Sequence, residues 1–237
     1  VRGELGRFPI IHDIIKSVMR YYGHISKNSS QSIILKNALA ESKSIDSCGT
    51  FSWFSYVKNM SKLFDINLEN VAEGTHVFSS QMLKESFTSF WSEHFVSKYK
   101  NDNCGKFNKF VLYKTHFKYE KYLDDITNRR QRVALTRFRI SSHRLKIETG
   151  RYAKPIVPRE NRFCDFCLVN NKNCVQDEVH FLLECPKFEK ERHVFIEKTF
   201  SSYPSTKLLS KPDLFTYLMS SEGEIIDYIS KFCANNL

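Results

Sequence analysis

Cys164, Cys167, His180 and Cys185 form a Cys-x2-Cys-x12-His-x4-Cys array whose residue types and spacing suit one tetrahedral zinc ion. Two thiols three residues apart reach one metal from a tight turn, and a second pair beyond a short loop completes four ligands, leaving no open position. A closed site is structural, so its ion folds the chain rather than catalysing. The loop at 168–176 holds Asn170, Asn171, Lys172 and Asn173, a turn composition with little to bury and a need for a metal staple. Cys174 within that loop and His193 beyond it are alternative ligands.

The array needs elements to hold it, and the pattern around it is helical. Asp177 reads as the N-cap of a run through Val179, Phe181, Leu182 and Leu183 that Pro186 closes. Upstream, Ile11, Ile14, Ile15, Val18 and Tyr22 mark one amphipathic helix. Ile33, Ile34, Leu35, Ala38 and Leu39 mark a second; Trp53, Tyr56, Val57, Met60 and Phe64 a third; Leu83, Phe87, Phe90, Trp91 and Phe95 a fourth. The aromatic stretch from Phe107 to Tyr119 fits helix or extended chain. Downstream, Phe188, Val194, Phe195 and Ile196 are expected inside one helix, and two capping boxes, Ser210 with Asp213 and Ser221 with Glu224, open two more. The fold class predicted is mainly α: a helical region at 1–150, a small zinc module at 151–200 built on three cysteines and one histidine, and C-terminal helices at 201–237. Gly150, Pro155 and Pro158 set the boundary.

The formal net charge is +10, and its location is informative. Between 128 and 162 stand Arg129, Arg130, Arg132, Arg137, Arg139, Arg144, Lys146, Arg151, Lys154, Arg159 and Arg162 against Glu148 and Glu160 alone. Nearly all the excess is therefore local. Arginine forks suit phosphate, so the segment reads as a footprint for RNA or DNA, with Tyr152, Phe163 and Phe166 available to stack on unpaired bases. The plainer alternative is a solvated helix face.

Other chemistry is sparse. There is no Gly-x-Ser-x-Gly, Gly-rich phosphate loop or His-Glu-x-x-His. Tyr122-Leu123-Asp124-Asp125 spells a polymerase-like Tyr-x-Asp-Asp, yet it lacks flanking strand patterns and reads as a helix end. Seven cysteines, with Cys48, Cys104 and Cys233 isolated, do not form a disulfide scaffold, and no stretch approaches a membrane span. An intracellular location and no membrane or small-molecule partner are expected.

The runs from Ser142 to Tyr152, from Ile156 to Cys164 and from Asp177 to Pro186 resemble the post-polymerase segment of LINE-type, non-LTR retrotransposon reverse transcriptases. The opening Gly3-Glu4-Leu5-Gly6-Arg7-Phe8-Pro9 and the later Ser52-Trp53 and Val57-Lys58 are similar to that family too. The resemblance implies a fragment of a longer polypeptide whose polymerase domain lies upstream, with a zinc knuckle helping to hold nucleic acid and no catalytic residues of its own. A scaffold docking on that polymerase or another acidic partner is the alternative.

Overall fold

Short polar side chains start the helices at several points. Asn67 Oδ1 accepts from the amides of Glu69 and Asn70, Asn128 Oδ1 from those of Arg130 and Gln131, and Ser52 and Ser55 exchange a reciprocal capping box. The structure is a computed structural model that describes residues 3–8, 10–74, 80–100 and 105–237. Pro9, His76 and Cys104 lie outside the described residues. The chain is mainly helical, as predicted, and the described residues contain only two isolated bridges, Leu5 with Tyr119 and Phe163 with Val175, in place of any strand. No helix among them is long and apolar enough to cross a membrane.

Residues 7–93 form one unit. Its helices are α1 (Ile10–Asn28), α2 (Ile33–Ser47), α3 (Trp53–Leu63), α4 (Leu68–Glu73) and α5 (Ser80–Phe90), around a core of Ile15, Met19, Tyr22, Leu39, Val57, Val71 and Leu83. The helices lie where the periodicity placed them, but their inward faces differ. α1 buries His12, Ile15, Met19, Tyr22 and Ile25 and leaves Ile11 and Ile14 exposed. Adjacent apolar pairs, Ile14-Ile15 and Val18-Met19, give two overlapping stripes, and packing selects the one that also includes Ile25. On α2 only Leu39 is buried, with Ile33 and Ile34 75% and 76% exposed.

Residues 3–6 with 94–237 form the second unit, which corrects the boundary expected at 150–158. Its long helices are α6 (Arg129–Arg139), α7 (Glu189–Ser202), α8 (Lys211–Ser220) and α9 (Gly223–Asn236), with α9 packed against both α6 and α7. Phe138 of α6 meets Phe181 at 5.5 Å, and Phe181 meets Phe232 of α9 at 5.1 Å between ring centroids. Glycine and proline do interrupt the helix, but one core runs across the interruption from Tyr122 to Cys233, so the basic segment, the cysteine module and the C-terminal helices pack as a single unit. The 107–119 stretch contributes a single turn, Phe110–Tyr113. Val194, expected inside, is exposed, whereas Phe188 and Phe195 are buried. Ser210 caps α8 as expected; Ser221 instead donates back to the Tyr217 carbonyl, and α9 starts at Gly223.

Two glycines set close approaches. Gly6 has φ +56°, and a Cβ there would lie 2.5 Å from the Tyr119 amide nitrogen, so only glycine seats the segment that carries Glu4 inward. A Cβ on Gly150 would lie 2.8 Å from the Arg162 stem. Arg162 cannot swing away cheaply, being held by the Val157 and Ile147 carbonyls at 2.9 and 2.7 Å. Gly150→Ala is expected to destabilise this unit by about 1–3 kcal/mol through overpacking, measurable by urea denaturation.

Candidate metal centre and basic cleft

Cys164 and Cys167 are placed by a one-turn helix, Asp165–Val169, entered from the Phe163 to Val175 bridge. The Cys164 amide donates to the Cys174 carbonyl at 2.8 Å and the Lys172 amide to the Cys167 carbonyl at 2.9 Å, so backbone bonds close the Asn-rich loop. The second pair sits on a π-helical segment, His180–Glu184, rather than the expected α-helix. Asp177 still caps it, its Oδ1 accepting from the His180 amide at 2.8 Å. On an α-helix, side chains five apart diverge by about 140°. The wider i→i+5 turn, closed by Cys185 N–H to His180 C=O at 2.8 Å, carries the His180 and Cys185 side chains to one side.

The result is a buried cluster of three thiols and one imidazole whose ligand atoms all lie within 4.8 Å of one another, and it can hold one metal ion. Cys164 Sγ is 3.8 Å from Cys185 Sγ, far beyond the roughly 2 Å of a disulfide, and Cys167 Sγ is 3.4 Å from His180 Nε2. Burial pushes the Cys167 thiol up to about 12, raises Cys185 and lowers His180. A buried thiol cluster of this kind ionises only against a cation, and the same burial favours the neutral imidazole, the form that binds metals. His180 Nδ1 lies 3.6 Å from Glu184 Oε2, outside hydrogen-bond distance, and Lys211 holds the other Glu184 oxygen at 3.1 Å. Of the alternative ligands, Cys174 stands outside the cluster and His193 is exposed beside Glu197.

The basic segment divides. Arg129, Arg130, Arg137 and Arg144 line one cleft of about 830 Å³, with Tyr152 at its edge. Lys154 is exposed, and Arg159 is half-buried. Arg132 donates to the Ile126 carbonyl at 2.9 Å, Lys146 pairs with Asp165 at 3.1 Å and Arg151 with Glu148 at 2.9 Å. Two expected contacts are corrected. Arg162 is buried on backbone carbonyls, and Arg139 is 1% exposed within an internal ion network. Arg139 meets both Glu4 oxygens at 2.9 and 3.2 Å and Glu120 at 3.1 Å, and it donates to the Met219 carbonyl. Its guanidinium lies over the Tyr113 and Tyr122 rings, 4.7 and 5.0 Å from their centroids. Neither side chain can meet a solvent-borne phosphate.

Three participants were not foreseen. Lys106 joins the cleft wall from outside the basic run, without a local sequence signal. Arg192 donates to the Leu182 carbonyl at 2.9 Å and also to that of Cys185, fastening the end of the π segment. Glu184 could have been read from its His-x3-Glu spacing. The Tyr122–Asp125 tetrad is one helical turn: Tyr122 is buried on Glu4 at 2.5 Å and Asp124 accepts from Tyr119 at 2.5 Å. Comparison with protein-family models, curated proteins and solved structures finds no match. Fold and site define a helical protein with a buried cluster of three cysteines and one histidine and, in the same unit, an arginine-lined cleft.

Proposed function

We propose that this chain is a non-catalytic, zinc-stabilised nucleic-acid-binding region, the post-polymerase part of a LINE-type reverse transcriptase, holding RNA or DNA for an upstream polymerase domain. The zinc assignment is supported by distances. Bonds of about 2.3 Å to sulfur and 2.0 Å to nitrogen in a tetrahedron place ligand atoms about 3.8 Å (S to S) and 3.5 Å (S to N) apart. Two of the six separations here are 3.8 and 3.4 Å, and all six lie within 4.8 Å. With four protein ligands the site is closed, and its chemistry is the fixing of the loop.

The observation that carries the binding role is the convergence of Arg129, Arg130, Arg137, Arg144 and Lys106 on one cleft beside the exposed ring of Tyr152. Cations lining the cleft together with an exposed aromatic ring suit a single strand, whose phosphates and unstacked bases are both available. The test is a salt titration against labelled single-stranded RNA, comparing wild type with Arg137→Glu plus Arg144→Glu. The double variant should bind about tenfold or more weakly, and its log-log salt slope should flatten by about 1.4, two contacts' worth. Unchanged binding removes this surface. The scaffold reading draws on Ile33 and Ile34 of α2, whose exposure suits a protein partner. It predicts instead weak salt dependence and no RNA retention.

A further inference from the structure

The floor of the arginine cleft has a chemistry that phosphate binding does not use. Glu148 and His143 both line it, yet each side chain is buried, Glu148 being 3% exposed. Glu148 Oε1 accepts from Arg151, whereas Oε2 has no hydrogen-bond partner among the described residues. His143 Nε2 lies 3.1 Å from Glu178 Oε1, an oxygen that also accepts from Ser141. A carboxylate only accepts, so Nε2 carries a ring proton, and in that tautomer Nδ1 is an acceptor. That Nδ1 is likewise without a partner among the described residues. Two orphaned acceptors under a basic cleft are unusual, because buried polar atoms are nearly always paired. They call for a ligand that brings N–H donors where the rim brings positive charge.

We propose that the cleft selects an unpaired nucleotide whose base carries an exocyclic amino group, cytosine, adenine or guanine, against uracil, which has none, with Glu148 and His143 receiving its two N–H bonds. This rests on the nucleic-acid reading above and specifies what that site takes. Phosphates flanking the base sit among Arg129, Arg130, Arg137 and Arg144, and Tyr152, 70% exposed, offers its ring for stacking. Uracil fits badly: its single imino N–H stands between two carbonyl oxygens, which a carboxylate repels. Glu148 reading an amino group is the same pairing that acidic side chains make with cytosine N4 in duplex recognition. Both acceptors are screened from bulk water, so entry requires neighbours to shift. Ser142, Arg144, Thr149 and Tyr152 are exposed lining residues near them in sequence that can do so.

The test uses the whole zinc-loaded chain with labelled oligocytidylate and oligouridylate of equal length, titrated across salt. Wild type should prefer the cytidylate by on the order of tenfold, with the same salt slope for both. Glu148→Gln, checked for zinc content and circular dichroism, should lose that preference and keep the slope. Tyr152→Ala, an exposed position, should weaken both ligands alike. Equal wild-type affinities with a steep slope overturn the base-selecting site while leaving the nucleic-acid reading intact, as does a preference that survives Glu148→Gln. A flat salt dependence with both oligonucleotides removes the nucleic-acid reading itself.

Discussion

Stripping the metal with a strong chelator, or replacing Cys185 with serine, is expected to abolish the cooperative unfolding transition of residues 94–237. The magnitude decides this. A closed thiolate-imidazole zinc site contributes about 10–16 kcal/mol to folding in small modules, which equals or exceeds the roughly 5–15 kcal/mol net stability of an ordinary domain. Here the ligands are not on a detachable appendage. Cys164, Cys167 and Cys185 belong to the same buried cluster as Phe138, Phe181, Phe215 and Phe232, so losing the ion exposes the centre of the unit. The 7–93 unit contains none of the four ligands and has its own core. Far-UV circular dichroism should therefore fall in part, with the remaining helical signal melting separately. Acid should do the same, since protons compete with the metal for thiolate and imidazole. A chain whose melting is indifferent to chelation, and that carries no stoichiometric zinc, would remove the metal assignment.

The clustering of Cys164, Cys167, His180 and Cys185 was legible because metal-binding arrays have short, fixed spacings, and Asp177 because a cap acts within three residues. What sequence left open was set by contacts distant along the chain. Nothing in Ile14-Ile15 says which isoleucine faces inward; Met19 and Ile25 decide it by packing. The π turn at His180–Glu184 has no periodicity of its own in five residues. Gly150 and the nearby prolines read as a domain boundary because they stop a helix, yet a core can continue where a helix does not. The cleft is a surface effect of the same kind: Arg129, Arg130, Arg137 and Arg144 converge there with Lys106, which lies well before the basic run.

Arg137 and Arg139 make the sharpest contrast, two neighbouring arginines on one helix with opposite fates. Arg139→Met is expected to cost about 3–5 kcal/mol, because it leaves the buried Glu4 carboxylate, 0% exposed, without its bidentate partner. Lysine should not rescue it. A single ammonium cannot bond Glu4 twice, Glu120 and the Met219 carbonyl at once while also packing over the Tyr113 and Tyr122 rings. Arg137→Met, at an exposed position, should change stability by no more than about 0.5 kcal/mol. Urea denaturation separates the two in stability, and RNA titration separates them again in the opposite sense. Below its melting transition, Arg139→Met should keep the wild-type salt slope, and Arg137→Met should lose about 0.7 of it. Loss of slope at Arg139 with stability intact would place that guanidinium at the surface, against the Glu4 network, and return it to the phosphate-binding set.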